Sequence, residues 1–238
     1  MKAFKISILA IAALVNISVN AQTVEEIVAK HIEAIGGKDK LSQIKSIYME
    51  NSVDIMGNQA PNIVTILDGK GYKSELDFNG QKVVQVFTDK GGWMINPLMG
   101  STTPTPIPAE QLKGARDQIS IAGPLFNYFE KGSKAELLGK EDVNGVNAFK
   151  IKLTNKEGFV STYFIDPSKY YIIKAGMTQN AQGQEMETIM FFSDYQKTDF
   201  GFVVPYSIEI QLPQLTLKSI TKKVEVNKPV DENIFKAE

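Results

Sequence analysis

The sequence predicts a mainly β protein with a few α-helices, in which one curved antiparallel sheet has helices over its concave face. Short runs rich in β-branched and aromatic residues follow one another from Ile47 to Val226, with turn signals about every 8–12 residues. We count roughly eleven such runs, which is more than a twisted open sheet usually holds without curling. A curled sheet has a hollow face, and the predicted helices are too few to fill it.

The chain begins with a segment typical of a secretory signal peptide. It combines a basic end, an apolar core and a small-residue cleavage site, formed in turn by Lys2 and Lys5, by Ile6 to Val15, and by Val19-Asn20-Ala21. The apolar core is shorter than the roughly 20 residues that span a bilayer. We therefore expect cleavage before Gln22, and a single exported domain over residues 22–238.

Composition excludes several classes of protein. Removal of residues 1–21 takes away two lysines and no acidic residue, so the formal charge moves from −1 to −3. The basic footprint of a nucleic-acid-binding protein is missing, and no nucleic-acid partner is expected. The sequence has no cysteine, so the exported domain must be held by its core alone, without disulfides.

The first helix is predicted from its capping residues and its apolar stripe. Thr23 and Glu26 have the spacing of a capping box, and Gly36-Gly37 supplies a left-handed end. The apolar positions between them fall at helical spacing: Val24, Ile27, Val28, Ile32 and Ile35.

Alternation predicts the strands that follow. Ile47–Ile55 and Tyr72–Phe78 alternate apolar and polar residues, and Asn79-Gly80 is a strong hairpin signal. The runs Ile63–Leu67 and Val83–Phe87 are apolar on both faces. Such strands are covered on both sides or border a cavity.

The middle of the chain predicts a lid. The segment Asn96–Pro108 contains four prolines and is predicted to be a long loop. Helices are predicted at Ala109–Ile119, interrupted by Gly114, and at Pro124–Lys131. Because the second is apolar on most of its surface, we expect the insertion at about 109–131 to cover the sheet as a movable lid.

Further strands complete the predicted sheet. Phe149–Leu153 alternates cleanly after the Asn144-Gly145 turn, and three more runs lie between Val160 and Pro205. In the last run the apolar positions change parity, which predicts a β-bulge near Lys218.

No constellation of residues indicates catalysis or metal binding. His31 is the only histidine, and no cysteine is present to join it, so a half-buried helix residue is the expected role. We expect no enzymatic activity, no cofactor and no metal site.

The candidate ligand-binding residues are apolar and lie near the predicted lid and hollow. Methionine adapts to ligands of variable shape, although side chains of this kind also simply pack cores. The candidates are Trp93, Met94, Leu125, Phe126, Phe129 and Met190.

Six segments, in this order, carry a resemblance that covers nearly the whole mature chain. They are His31–Gly37 (HIEAIGG), Leu138–Gly145 (LGKEDVNG), Tyr163–Pro167 (YFIDP), Phe192–Tyr195 (FSDY), Gly201–Pro205 (GFVVP) and Asn227–Phe235 (NKPVDENIF). In these the chain resembles the LolA/LolB-like family, in particular its divergent outer-membrane lipoprotein-sorting members. One departure is that the only arginine, Arg116, lies in the helical insertion, whereas the archetypal soluble carrier latches its lid with an arginine from an early strand.

The resemblance implies that the curved antiparallel sheet forms an incomplete (half) β-barrel, with helices over its concave face and an apolar cavity for acyl chains. The expected function is therefore a non-enzymatic periplasmic carrier of lipid or of acylated lipoproteins, with lipoprotein sorting to the outer membrane as its most specific form. The alternative is an envelope module, structural or signalling, that binds another protein through the curved sheet; an unrecognised hydrolase is a third reading. A monomer is expected.

Overall fold

The computed structural model describes residues 22–181 and 184–237. Its helices are α1 (Val24–Ala34), α2 (Lys38–Leu41) and α3 (Ala109–Ala115), with 3-10 helices at Pro97–Met99, Arg116–Ile119 and Glu232–Phe235. Its strands are β1 (Ser46–Ile55), β2 (Asn58–Leu67), β3 (Gly71–Phe78), β4 (Gln81–Thr88), β5 (Gly92–Asn96), β6 (Ser101–Pro106), β7 (Lys134–Val143), β8 (Val146–Thr154), β9 (Val160–Ile165), β10 (Ile172–Ala181), β11 (Gln184–Lys197), β12 (Val203–Leu212) and β13 (Leu215–Val226).

Within the described residues the strands form one antiparallel sheet of thirteen, in the order β6-β5-β4-β3-β2-β1-β13-β12-β11-β10-β9-β8-β7. Two meanders, β1 to β6 and β7 to β13, join where β1 pairs with β13. The sheet is open, because its edge strands β6 and β7 do not pair with each other. The predicted fold class, a mainly β protein with an open curved sheet, is confirmed.

The topology explains why one connection covers the sheet. Residues 107–133 join β6 to β7, the two opposite edges. A chain that links both edges of a curved sheet has to cross one of its faces. Leu125 of this connection packs in one cluster with Ile27 and Val28 of α1. The connection therefore lies over the face that carries α1, which we call the inner face.

Helix α1 is built as predicted. The Thr23 hydroxyl accepts a hydrogen bond from the Glu26 amide at 3.2 Å, and the Glu26 carboxylate accepts one from the Thr23 amide at 3.3 Å. Ile27 and Val28 are buried on the inner face against Ile151 and Ile165. The helix ends at Ala34, just before the paired glycines.

Two apolar clusters cover the inner face, and Ile32 packs against both. One lies over β1, β2 and β12 and includes Ile47, Ile66 and Val204. The other lies over β8, β9 and β10 and includes Leu153. The inner face is thus covered from both halves of the sheet.

The opposite, outer face is covered at β3–β5 by the end of the chain. Phe235, in the C-terminal 3-10 helix, packs against Val84 and Val86. The Trp93 indole nitrogen donates a hydrogen bond to the Phe235 carbonyl at 3.0 Å. Gly71 leaves room for the ring, since a Cβ at that position would lie 2.8 Å from it.

Several local predictions were wrong. Part of the proline-rich segment is strand β6, which lies at an edge where a proline need not donate to a neighbour. Residues 124–132 form successive turns rather than a helix, and Asn127 has a left-handed φ of 50°. The bulge in β13 lies at Lys222, because Glu50 pairs with Lys223 and Asn51 with Thr221.

Other predictions concern the termini and the membrane. The predicted signal peptide, residues 1–21, lies outside the described residues. Among the helices that the structure describes, none is long and apolar enough to cross a bilayer.

Candidate functional site

The inner face contains a cavity of about 480 Å³. Its volume is within the range of about 300–1,000 Å³ that is usual for small-molecule sites. Strands from both halves of the sheet contribute apolar side chains to it: Ile47, Met49, Val64, Ile66, Ala175, Met190, Phe192, Val204, Ile208 and Ile210. The arrangement can enclose an apolar ligand in the centre of the curved sheet.

The connection between the sheet edges forms the roof of this cavity. Gly114, Asp117, Ile121 and Pro124 are among its lining residues. The Ile121 amide donates a hydrogen bond to the Asp68 carboxylate at 3.0 Å, which ties the roof to the β2–β3 turn. The Gly69 amide of the same turn donates to the Ile119 carbonyl at 2.8 Å, so two hydrogen bonds hold the roof here.

A lysine fastens the second half of the roof. The Lys131 ammonium donates hydrogen bonds to the Ser120 hydroxyl at 2.7 Å and to the Gly123 carbonyl at 3.3 Å. Burial lowers the pKa of Lys131, although the nearby carboxylates of Asp68 and Asp117 act in the opposite direction. These contacts join the two ends of the segment 120–131.

Asp117 is a carboxyl group in the lining of an otherwise apolar cavity. Burial raises its pKa, and this effect exceeds the opposing influence of the Asn155 hydrogen bond and of Lys131. Asn155 is itself fixed, because its amide donates to the Lys113 carbonyl at 2.8 Å. The folded protein therefore favours the neutral form of Asp117 more than the unfolded chain does.

This raised pKa makes stability depend on pH. The contribution of Asp117 is most favourable below its ordinary pKa of 3.8 and is lost as the pH rises through the higher folded value. We expect Asp117→Asn to gain stability relative to the wild type as the pH is raised from below 3.8 to neutral. Thermal unfolding of both proteins across that pH range measures the difference; parallel curves would contradict it.

His31 also lines the cavity, but its surroundings do not support catalysis. Its side chain is 4% exposed, and Nδ1 lies 2.8 Å from the Tyr170 carbonyl oxygen. Nδ1 therefore carries the proton and donates it. Burial lowers the pKa of His31, so the ring is neutral. Within residues 22–181 and 184–237, no group of three histidine or acidic side chains could hold a metal ion.

A row of neutral polar side chains crosses four strands, and we call it the amide ladder: Thr221, Asn51, Asn62 and Ser74. The first three of these residues line the cavity. The Thr221 hydroxyl donates to the Asn51 carbonyl oxygen at 2.9 Å, and the Asn51 amide donates to the Asn62 carbonyl oxygen at 3.2 Å. The Asn62 amide donates to the Ser74 hydroxyl at 2.8 Å. The ladder spans β13, β1, β2 and β3. The sequence contained a signal for it, because Asn51 shares the parity of the apolar residues in β1.

The six predicted ligand-binding residues do not lie together. Met190 lines the cavity. Trp93 is on the outer face with Phe235, and Met94 packs against the cluster under α3 that contains Phe87. The remaining three, Leu125, Phe126 and Phe129, line a separate groove beside α1.

That groove, of about 520 Å³, lies between α1 and residues 125–130. Leu125 and Phe126 are buried in the inner-face clusters, whereas Phe129 is 80% exposed. At the rim Lys38 pairs with Glu130 at 3.8 Å. The groove is an apolar surface distinct from the central cavity.

An open antiparallel sheet with a roofed apolar cavity defines the class of half-barrel proteins with a ligand-sized hollow. The sequence matches no protein-family model and no curated protein. Solved structures do match its fold. A DUF1329 family protein from Desulfovibrio piger aligns with a TM-score of 0.59 at 13% identity, over 91% of this chain and 98% of that one.

Two further solved structures have the same fold. A LolA-superfamily protein from Nitrosomonas europaea aligns with a TM-score of 0.59 at 12% identity, over 91% of this chain and 98% of that one. An outer-membrane lipoprotein-sorting protein domain from Vibrio parahaemolyticus aligns with a TM-score of 0.56 at 13% identity, over 88% and 94%. The predicted resemblance is confirmed at the level of the fold.

Proposed function

We propose that this protein is a non-enzymatic periplasmic carrier that binds acyl chains of a lipid or lipoprotein in the inner-face cavity. The observation that carries the proposal is the cavity itself, which is large enough for a small ligand and lined mainly by aliphatic, methionine and aromatic side chains. Each methylene group that leaves water contributes about 0.8 kcal/mol. About ten buried methylene groups therefore contribute about 8 kcal/mol, which corresponds to micromolar affinity.

The candidate residues take different roles in this proposal. Met190 contacts the ligand directly, and its flexible thioether accommodates chains of different shape. Leu125 and Phe126 anchor the roof, and the exposed Phe129 is the part of it that meets a donor or acceptor. Trp93 and Met94 lie outside the cavity lining and support the sheet.

A carrier rather than an enzyme is favoured by the surroundings of the ionisable groups. His31 uses one ring nitrogen for a main-chain hydrogen bond and has no second imidazole to act with. Asp117 is held by Asn155, and its burial favours the neutral carboxyl group. The place of action is inferred from residues 1–21, and a structural relative described as a lipoprotein-sorting domain supports transport.

The test is mass spectrometry of an organic extract from protein purified gently out of its native envelope. We expect an acyl lipid in an amount close to that of the protein. An unrelated exported protein with the same tag, purified in parallel, controls for carry-over. An extract without lipid would contradict the carrier function.

A second candidate function is binding of another envelope protein. The groove beside α1 and the 80% exposure of Phe129 favour it. A stable complex with another protein, together with a lipid-free extract, would support this second function in place of the first.

A further inference from the structure

The amide ladder is placed where apolar side chains would pack best. Asn51 lies directly opposite Asn62 on β2 and Thr221 on β13. The residues that flank Asn51 and Asn62 on the inner face of their own strands are apolar: Met49, Val53, Ala60 and Val64. Asn62 is 9% exposed and Thr221 is 7% exposed. Polar groups at such positions must be hydrogen-bonded to be tolerated, and they contribute less to stability than a packed valine or leucine. Their presence therefore calls for a reason other than packing.

The ladder has hydrogen-bonding capacity to spare. The Asn51 amide has two hydrogens, one of which is used by Asn62. Each side-chain carbonyl oxygen has two lone pairs and accepts one bond from within the ladder. The Thr221 hydroxyl donates its hydrogen and can still accept. The cavity floor thus offers a donor for a ligand carbonyl and acceptors for a ligand hydroxyl.

Nothing described in the lining would balance a negative charge on the ligand. Among the lining residues whose side chains the structure describes, none is a lysine or an arginine. The ionisable groups there are His31, which is buried and neutral, the tyrosine phenols and Asp117, a carboxyl group. A carboxylate or phosphate brought into the cavity would lose its hydration without gaining a counter-charge.

We infer that the cavity selects acyl lipids whose polar group is uncharged, such as acyl esters of glycerol, and that the amide ladder recognises their ester and hydroxyl groups. This inference rests on the proposed carrier function and names the ligand class of the same site. The chemistry is shared by a free acylglycerol and by the diacylglyceryl group of a lipoprotein.

The inference is tested by competition against an apolar fluorescent probe, 1-N-phenylnaphthylamine. Monolauroylglycerol and laurate carry the same chain, and at pH 8 they differ in the charge of the polar group. We expect monolauroylglycerol to displace the probe at a concentration at least about tenfold lower, equivalent to about 1.4 kcal/mol. A lipopeptide with an S-diacylglyceryl cysteine, compared with dilauroylglycerol, distinguishes the two sources, and tight binding of either supports the inference.

The ladder's role is tested by Asn51→Leu/Asn62→Leu. Because both hydrogen-bonding partners are replaced together, no unpaired amide is left between them. We expect the preference for monolauroylglycerol to fall to about threefold or less, with probe affinity unchanged or higher. The matched control is Ser52→Ala/Gln59→Ala, a hydrogen-bonded pair at 2.7 Å on the other face of the same strands. Thr221→Val, which keeps the side-chain shape, serves if the double variant does not fold.

The possible outcomes distinguish a failure of this inference from a failure of the proposed carrier function. If the probe binds but laurate competes as well as its glycerol ester, the inference is overturned while the carrier function stands. The same holds if the ladder variants keep the full preference. If no apolar probe binds to the wild type at all, the carrier function is overturned, and the inference with it.

Discussion

Replacement of Phe235 by alanine is expected to lower the free energy of unfolding by about 3–5 kcal/mol. The ring is 7% exposed and packs against Val84 and Val86 on the outer face of the sheet. Gly71 lies beneath it, and a Cβ there would approach the ring to 2.8 Å. Loss of the ring leaves a space that three neighbouring strands cannot close.

Trp93 provides a second measurement of the same event. Its indole nitrogen is bound to the Phe235 carbonyl, so release of the C-terminal segment exposes the indole to water. We expect the tryptophan emission of Phe235→Ala to shift to longer wavelength under native conditions. Gly71→Ala should give a smaller change in the same direction, because the ring has to move away from the new methyl group.

The control for this prediction is Glu232→Ala in the same segment. Glu232 pairs with Lys70 at the surface, and exposed ion pairs contribute about 0–1 kcal/mol. Denaturant unfolding should separate the two variants clearly. Equal stability of Phe235→Ala and Glu232→Ala, with unchanged emission, would show that the C-terminal segment does not hold this face.

Ser219→Phe is expected to abolish ligand binding while the sheet stays folded. Ser219 lines the cavity, opposite Val53 on β1 and Ile208 on β12. A phenyl ring at this position occupies the space that an acyl chain needs. Because the cavity is already empty space, the ring should fit with less than about 1.5 kcal/mol of destabilisation, whereas probe affinity should fall by more than about tenfold.

Lys218→Phe is the matched control, since it introduces the same ring one residue away on the exposed outer face. Probe fluorescence titrations should show wild-type affinity for this variant. Thermal unfolding of both variants establishes that the sheet is intact. If Ser219→Phe bound the probe as tightly as Lys218→Phe does, the ligand would have to bind elsewhere, with the groove beside α1 as the next place to examine.

Much of the fold could be predicted because local patterns and tertiary structure agree. The Asn79-Gly80 and Asn144-Gly145 pairs form tight turns in which all four residues have positive φ, as two-residue hairpins require. The capping box of α1 is likewise a local signal. In these places the chain needs no distant contact to specify its conformation.

The errors occurred where contacts between residues far apart in the sequence determine the local conformation. Pro104 and Pro106 exclude a central strand, but β6 is an edge strand, and a position at the edge is a property of the whole topology. Residues 124–131 have apolar side chains at helix-compatible spacing, yet they form turns that follow the inner face. Their conformation is set by the route of the connection between the sheet edges.

The sequence predicted an apolar hollow, but it predicted few of the residues that line it. An apolar hollow follows from the number of strands, and Met190 lies in it. Trp93 was expected near the cavity because its strand precedes the predicted lid. Its side chain instead lies on the outer face of the sheet, where it packs against the C-terminal segment. The amide ladder requires knowledge of which strands are neighbours, since Asn51 and Thr221 are far apart in sequence.

The open sheet has one more consequence, which concerns contact between copies of the protein. An unclosed sheet has two free edges, and a free edge can pair with the edge of another molecule. At β6, Pro104 and Pro106 have no amide hydrogen to donate to a strand of a second molecule. At β7, the register shift between Leu137 and Lys140 interrupts the strand. We expect these two irregular edges to disfavour edge-to-edge pairing between molecules, which an open sheet would otherwise allow.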